Sequence, residues 1–165
     1  MNFSVGDTIL YGTNGVCKIT DITEEKFNYE THKYYVLKPV FDENATVYIP
    51  FDNEKLISKM KRIISEEEIN ELIKSLKGKE IEWIDNENKR KEKFKNIIYN
   101  GDREELMILI RTIYLHQEDL VKNGKKLHIM DERFLKDAEK LIYDEFSLVL
   151  NIDREDVVPF ILERI

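Results

Sequence analysis

The chain has 165 residues, 42% of them hydrophobic and 36% charged, and a formal net charge of −7. This is enough apolar material for one ordinary domain or two small ones, and too much for a disordered chain. The acidity argues against a free-standing DNA binder, because phosphate neutralisation supplies most non-specific affinity and needs net basic surface.

No apolar run approaches the roughly 18 residues that span a bilayer, and the opening residues Met1 to Asp7 lack the basic and apolar regions of a signal peptide. A cytoplasmic protein without a membrane partner is expected. Cys17 is the single cysteine, which leaves no internal disulfide or zinc knuckle and reads as a small core residue.

From Asp7 to about Ile64 the chain runs in short β-rich stretches: Thr8 to Tyr11, Val16 to Ile22, Tyr34 to Leu37, Thr46 to Ile49, and a last one near Leu56 to Ile64. Alternation sets Val16, Lys18 and Thr20 against Cys17, Ile19 and Asp21. Gly12-Thr13-Asn14-Gly15 and Asp42-Glu43-Asn44 supply turns. Five short strands in about sixty residues predict a meander closing into a small barrel. At Ser65, with Glu68 three residues later, a capping box opens the first main helix, whose stripe is Ile69, Leu72, Ile73 and Leu76. A second helix is predicted after Asp85 to Tyr99, a third from Arg103 to Val121, a fourth from Asp131 to Leu150, and a fifth capped by Asp153. The reading is α+β, with a β domain over residues 1–64 and an all-α domain of about five helices over 65–165.

Catalytic patterns are weak. His32, His116 and His128 stand far apart with no carboxylate at ligand spacing, so no metal or cofactor is expected, and His116, three residues after Ile113, reads as a helix-surface or core residue. Gly12 to Gly15 lacks the strand-to-helix setting of a phosphate loop and reads as a hairpin turn. An enzyme built on Glu139 or Asp144 of the fourth helix is a minor alternative, since both read as surface charges.

The one basic island is Asn88 to Asn100, with Lys89, Arg90, Lys91, Lys93 and Lys95 against Glu92 alone. On a helical wheel Phe94, Ile97 and Ile98 share one arc and the lysines face outward. Arg90 falls inside the apolar arc, where its head can clamp a carboxylate or a backbone phosphate. Trp83, the only tryptophan, stands just ahead of this helix. It can be a hydrophobic staple, or, if Ile81 and Ile84 do the stapling, an indole at the mouth of the basic face, where wedges and stacking platforms for nucleic acid are set.

Three stretches resemble the CarD/CdnL family of bacterial transcription factors over nearly the whole chain: Phe3 to Tyr11 followed by Asn14-Gly15-Val16; Tyr35-Val36-Leu37-Lys38; and Trp83, the basic helix and Asn100-Gly101-Asp102. The resemblance implies a Tudor-like (SH3-like) N-terminal domain that docks on the β subunit of RNA polymerase, as the related domain of transcription-repair coupling factors does. It also implies a helical domain that meets promoter DNA at the upstream edge of the bubble. There the tryptophan matching Trp83 wedges, Lys89, Arg90 and Lys93 hold the backbone, and the open complex is stabilised.

Where well-known members turn arginines toward polymerase, this chain has Glu25 and Tyr48, with Lys26 beside the first. Docking is therefore expected to use strand pairing by Thr46, Val47 and Tyr48 with the polymerase edge. A monomer with polymerase and promoter DNA as partners is expected. The alternative is a protein-protein interaction module without DNA contact.

Overall fold

The computed structural model describes residues 2–164. The chain divides into two compact units, Met1–Ile64 and Ser65–Ile165.

The first unit is a five-stranded antiparallel sheet: β1 (Thr8–Tyr11), β2 (Val16–Phe27), β3 (Glu30–Pro39), β4 (Val47–Pro50) and β5 (Met60–Arg62), in the order β4-β3-β2-β1-β5. A one-turn helix, α1 (Glu54–Ile57), links the two edge strands and is capped by the Asn53 side chain, which accepts from the Leu56 N–H at 3.1 Å. The inner face buries Phe3, Ile9, Tyr11, Cys17, Ile19, Tyr35, Leu37, Ile49 and Met60.

Strict alternation along β2 would turn Asp21 toward this core. Instead the β2–β3 register slips between Ile19 and Asp21, so the strand bulges at Thr20, Asp21 is exposed, and Ile22 packs on the core. One extra residue thus restores the face that a period of two would have reversed.

Both β2 and β3 run well beyond the predicted stretches, pairing out to Phe27 and Glu30. The two-residue turn between them has positive φ at both Asn28 (48°) and Tyr29 (68°), the mirror-image turn that matches the twist of a hairpin.

The second unit is helical: α2 (Glu66–Ser75), α3 (Glu87–Asn100), α4 (Arg103–Lys122), α5 (Ile129–Leu150) and α6 (Arg154–Leu162). α5 is the central element and touches α2, α3, α4 and α6. Its neighbours bury Phe94, Ile97 and Ile98 from α3 and Leu106, Leu109 and Ile113 from α4. Gly101 ends α3 at φ 65°, and Asp102 at once caps α4, accepting from the Glu105 N–H at 2.9 Å. Asp153 stands at the start of α6 but its side chain makes no cap hydrogen bond. Among the described residues, no helix is long and apolar enough to cross a membrane.

The α2 start forms the reciprocal capping box. Ser65 Oγ accepts from the Glu68 N–H at 3.2 Å, and the Glu68 carboxylate accepts from the Ser65 N–H at 2.7 Å. These bonds hold the Glu68 carboxyl below its ordinary value, so the cap favours folding when Glu68 is ionised and weakens as pH falls through the carboxylate range. Ser65→Ala is expected to cost about 1 kcal/mol at neutral pH, and less in acid, in chemical unfolding followed by circular dichroism.

Candidate functional site

Between α2 and α3 the chain runs irregularly over residues 77–86, and Trp83 is carried on this stretch. The stretch is tied to the helices at several points, among them an ion pair between Lys79 and Glu104 of α4. The Ile81 N–H donates to Thr112 Oγ1 of α4 at 3.1 Å, and Arg90 Nη1 donates to the carbonyls of Ile84 (3.0 Å) and Asp85 (3.4 Å).

Arg90 faces the apolar side of α3, as its place on the wheel requires, and is buried with Phe94, Ile97 and Ile98. Its partner is Asp131 of α5. Nε donates to Oδ1 at 2.9 Å and Nη2 to Oδ2 at 3.1 Å, a two-bond fork between side chains only 8% and 2% exposed. The resemblance gave Arg90 a place on the DNA backbone. All three guanidinium nitrogens are directed inward instead, so of its two possible partners the structure shows a carboxylate.

Trp83 is half-buried. Its indole stacks on the imidazole of His116 from α4, with ring centres 3.6 Å apart and planes 7° from parallel. Phe94 meets it edge-on at 5.8 Å and 69°, and the Arg90 guanidinium carbon stands 4.9 Å from the ring centre. The ring folds back onto α3 as a staple would, yet it is gripped from α4 as well and keeps part of its surface outside.

Burial lowers the pKa of His116, and the nearby Arg90 charge adds to this against Asp131, Asp119 and Asp85. His116 was not legible as part of the site. Its spacing from Ile113 places it on the inward face of α4, but nothing in sequence pairs it with a tryptophan 33 positions earlier.

Lys89 and Lys93 lie exposed on the outward side of α3, and neither forms an ion pair among the described residues. They line a groove of about 730 Å³ together with Asn96, Asn100, the carboxylates Glu92 and Glu105, and the apolar Ile81, Ile84, Ile97 and Ile108. The stretch that carries Trp83 contributes Ile81 and Ile84 to this groove, while the indole itself lies against His116, Phe94 and Arg90.

In the first unit the five polymerase-facing candidates are all at the surface except Val47, which is half-buried against the core. They form two groups. Tyr48 pairs with Val36 and Val47 with Leu37 on the outermost strand β4, with Thr46 just before it. Glu25 and Lys26 pair with His32 and Thr31, far along the hairpin. The six residue steps along β3 from His32 to Lys38 separate the levels of Glu25 and Thr46 by about 20 Å.

The carboxylates considered for catalysis have structural partners. Glu139 accepts from the Tyr114 hydroxyl at 2.7 Å, and partial burial with this carboxylate pushes that phenol up to about 12. Asp144, read as a surface charge, is buried with its carboxyl pKa raised by desolvation, and it pairs with Arg154 Nε at 3.0 Å. The first turn of α6 supplies that arginine, a contact that only the fold makes. Glu145 is likewise buried and bound by Arg103 at 2.6 and 2.7 Å.

Removing one partner of a buried ion pair leaves the other uncompensated. Asp131→Ala is expected to destabilise the helical unit by about 3–5 kcal/mol, read by denaturant unfolding with Trp83 fluorescence as the probe. Because folding lowers the His116 pKa, the unfolded chain takes its proton first as pH drops below the usual histidine value. The unit should therefore lose stability as pH falls from about 6.5, and His116→Gln should flatten that dependence in the same assay.

Two family models match the chain. That of the CarD-like/TRCF RID domain covers residues 3–62, and that of the CarD C-terminal domain covers residues 71–161. The first model fits the small antiparallel sheet as a Tudor-like, RNA polymerase-interacting domain, and the second takes in Trp83, the basic helix and the bundle that holds them. The chain belongs to the CarD/CdnL family of non-enzymatic, RNA polymerase-interacting transcription regulators.

Proposed function

We propose that the N-terminal domain docks on the β subunit of RNA polymerase. From there the helical domain contacts promoter DNA at the upstream edge of the bubble and stabilises the open complex. The observation that carries the reading is the setting of Trp83: a gripped, partly exposed indole beside an outward face bearing Lys89 and Lys93.

The charge distribution supports a tethered contact. The α3 face is a local basic surface in an acidic chain, so intrinsic affinity for DNA is low, and attachment to polymerase raises the local concentration at the promoter. A partly inserted indole costs least where strands have already separated, so it binds open promoter better than closed. That difference in affinity is what shifts the population. Lys89 and Lys93 supply the backbone contacts, and Arg90 serves them indirectly by holding the stretch that carries Trp83.

For polymerase, β4 is an edge strand with Tyr48 58% exposed, the kind of edge to which a partner strand adds. Glu25 and Lys26 give a second contact along the hairpin. The chain is proposed to act as a monomer.

Trp83→Ala is expected to leave polymerase affinity unchanged and to shorten the open-complex lifetime in a filter-retention assay; equal lifetimes would refute the wedge. Lys89→Ala with Lys93→Ala should weaken promoter retention and make the lifetime less sensitive to salt, the logarithmic slope falling by about 1 for each phosphate no longer neutralised. Conversely, Tyr48→Asp should weaken capture of the polymerase β subunit and leave the fold intact, because that side chain lies outside the core.

A further inference from the structure

We propose that His116 is a positioning residue for the wedge: its imidazole, with the Arg90–Asp131 pair, fixes the Trp83 indole in one orientation before DNA arrives. The inference rests on the role proposed for Trp83 and adds to it a residue outside the basic cluster.

Trp83 sits on an irregular stretch, where an indole would ordinarily sample several rotamers. Three helices converge to prevent that. α4 supplies the parallel imidazole at 3.6 Å, α3 supplies the edge of Phe94 and the Arg90 guanidinium, and α5 supplies Asp131, which holds Arg90 in place. The same guanidinium ties down the carbonyls of Ile84 and Asp85, so backbone and ring are restrained together.

A wedge acts against the stacking of bases. An indole free to rotate would lose that freedom on insertion and would yield under load, whereas one already fixed keeps the cost of ordering out of the binding step. His116 lies flat on the ring at contact distance, so it sets the plane in which the exposed part of the indole meets DNA.

The groups facing His116 are Arg90 from α3, Asp131 from α5, Asp119 on its own helix and Asp85 from the preceding stretch. The cation and the nearest carboxylate are already joined to each other, and the neutral imidazole suits that setting.

Because Trp83 is the sole tryptophan, the full-length protein reports the clamp directly. In time-resolved fluorescence anisotropy the wild type should show the indole tumbling with the protein. His116→Ala should add a fast local component, and His116→Phe, which keeps a flat ring, should remove it again. A protonated imidazole in contact quenches indole emission, so acidification should dim the wild type and leave His116→Phe unchanged.

With polymerase and promoter, His116→Ala should shorten the open-complex lifetime about fivefold at unchanged polymerase affinity, and His116→Phe should restore it. Unchanged anisotropy in His116→Ala, or a wild-type lifetime for it where Trp83→Ala shortens the lifetime, overturns the proposal. A longer lifetime for His116→Ala overturns it too, since the imidazole would then be covering the ring against DNA. If Trp83→Ala itself leaves the lifetime unchanged, the role of Trp83 fails, while the anisotropy still decides whether the clamp exists.

Discussion

The buried fork between Arg90 and Asp131 is the constraint on which the candidate interface depends. It joins α3 to α5 across the interior, and the same guanidinium reaches the carbonyls of Ile84 and Asp85 and stands over the ring of Trp83. A charge is costly to bury, and it persists here because every nitrogen of the head has a partner. One side chain thereby connects the packing of the bundle to the placement of an indole at its surface. The adjacent lysines of α3 point the other way, into solvent, with no comparable partners among the described residues.

This arrangement separates two uses of positive charge within one turn of helix. Arg90 is bound inside the bundle, and Lys89 and Lys93 are the cations proposed to reach a phosphate backbone. The separation follows from helical geometry. Arg90 and Phe94 are four residues apart on the inward face, while Lys89 and Lys93 are four apart on the outward one. It also fits an acidic protein that is proposed to reach DNA through polymerase, because a small basic face is enough once the partner holds it in range.

Much of this was legible in the sequence, and the exceptions have physical causes. Helix limits were marked by local chemistry: the Ser65–Glu68 box, Gly101 followed by Asp102, and the Arg103 start of α4. These signals act within a few residues and so are readable without a fold. The bulge at Thr20 was not readable, since only pairing with β3 reveals that two residues face one. The wheel placed Arg90 on the apolar side, yet its partner is 41 positions away on another helix. For the same reason His116 and Trp83 read as separate residues. Asp144 reads as a surface charge, and Glu145 carries no signal, until α6 and α4 bring Arg154 and Arg103 to them.

The gripped indole is proposed to meet promoter DNA where the strands part. The most direct measurement replaces Trp83 with a photoreactive amino acid and maps its crosslinks in polymerase–promoter complexes. Crosslinks to DNA at the upstream edge of the bubble are expected in open complexes, and few in closed ones. Crosslinks confined to polymerase, or DNA crosslinks that do not depend on strand opening, would contradict that placement.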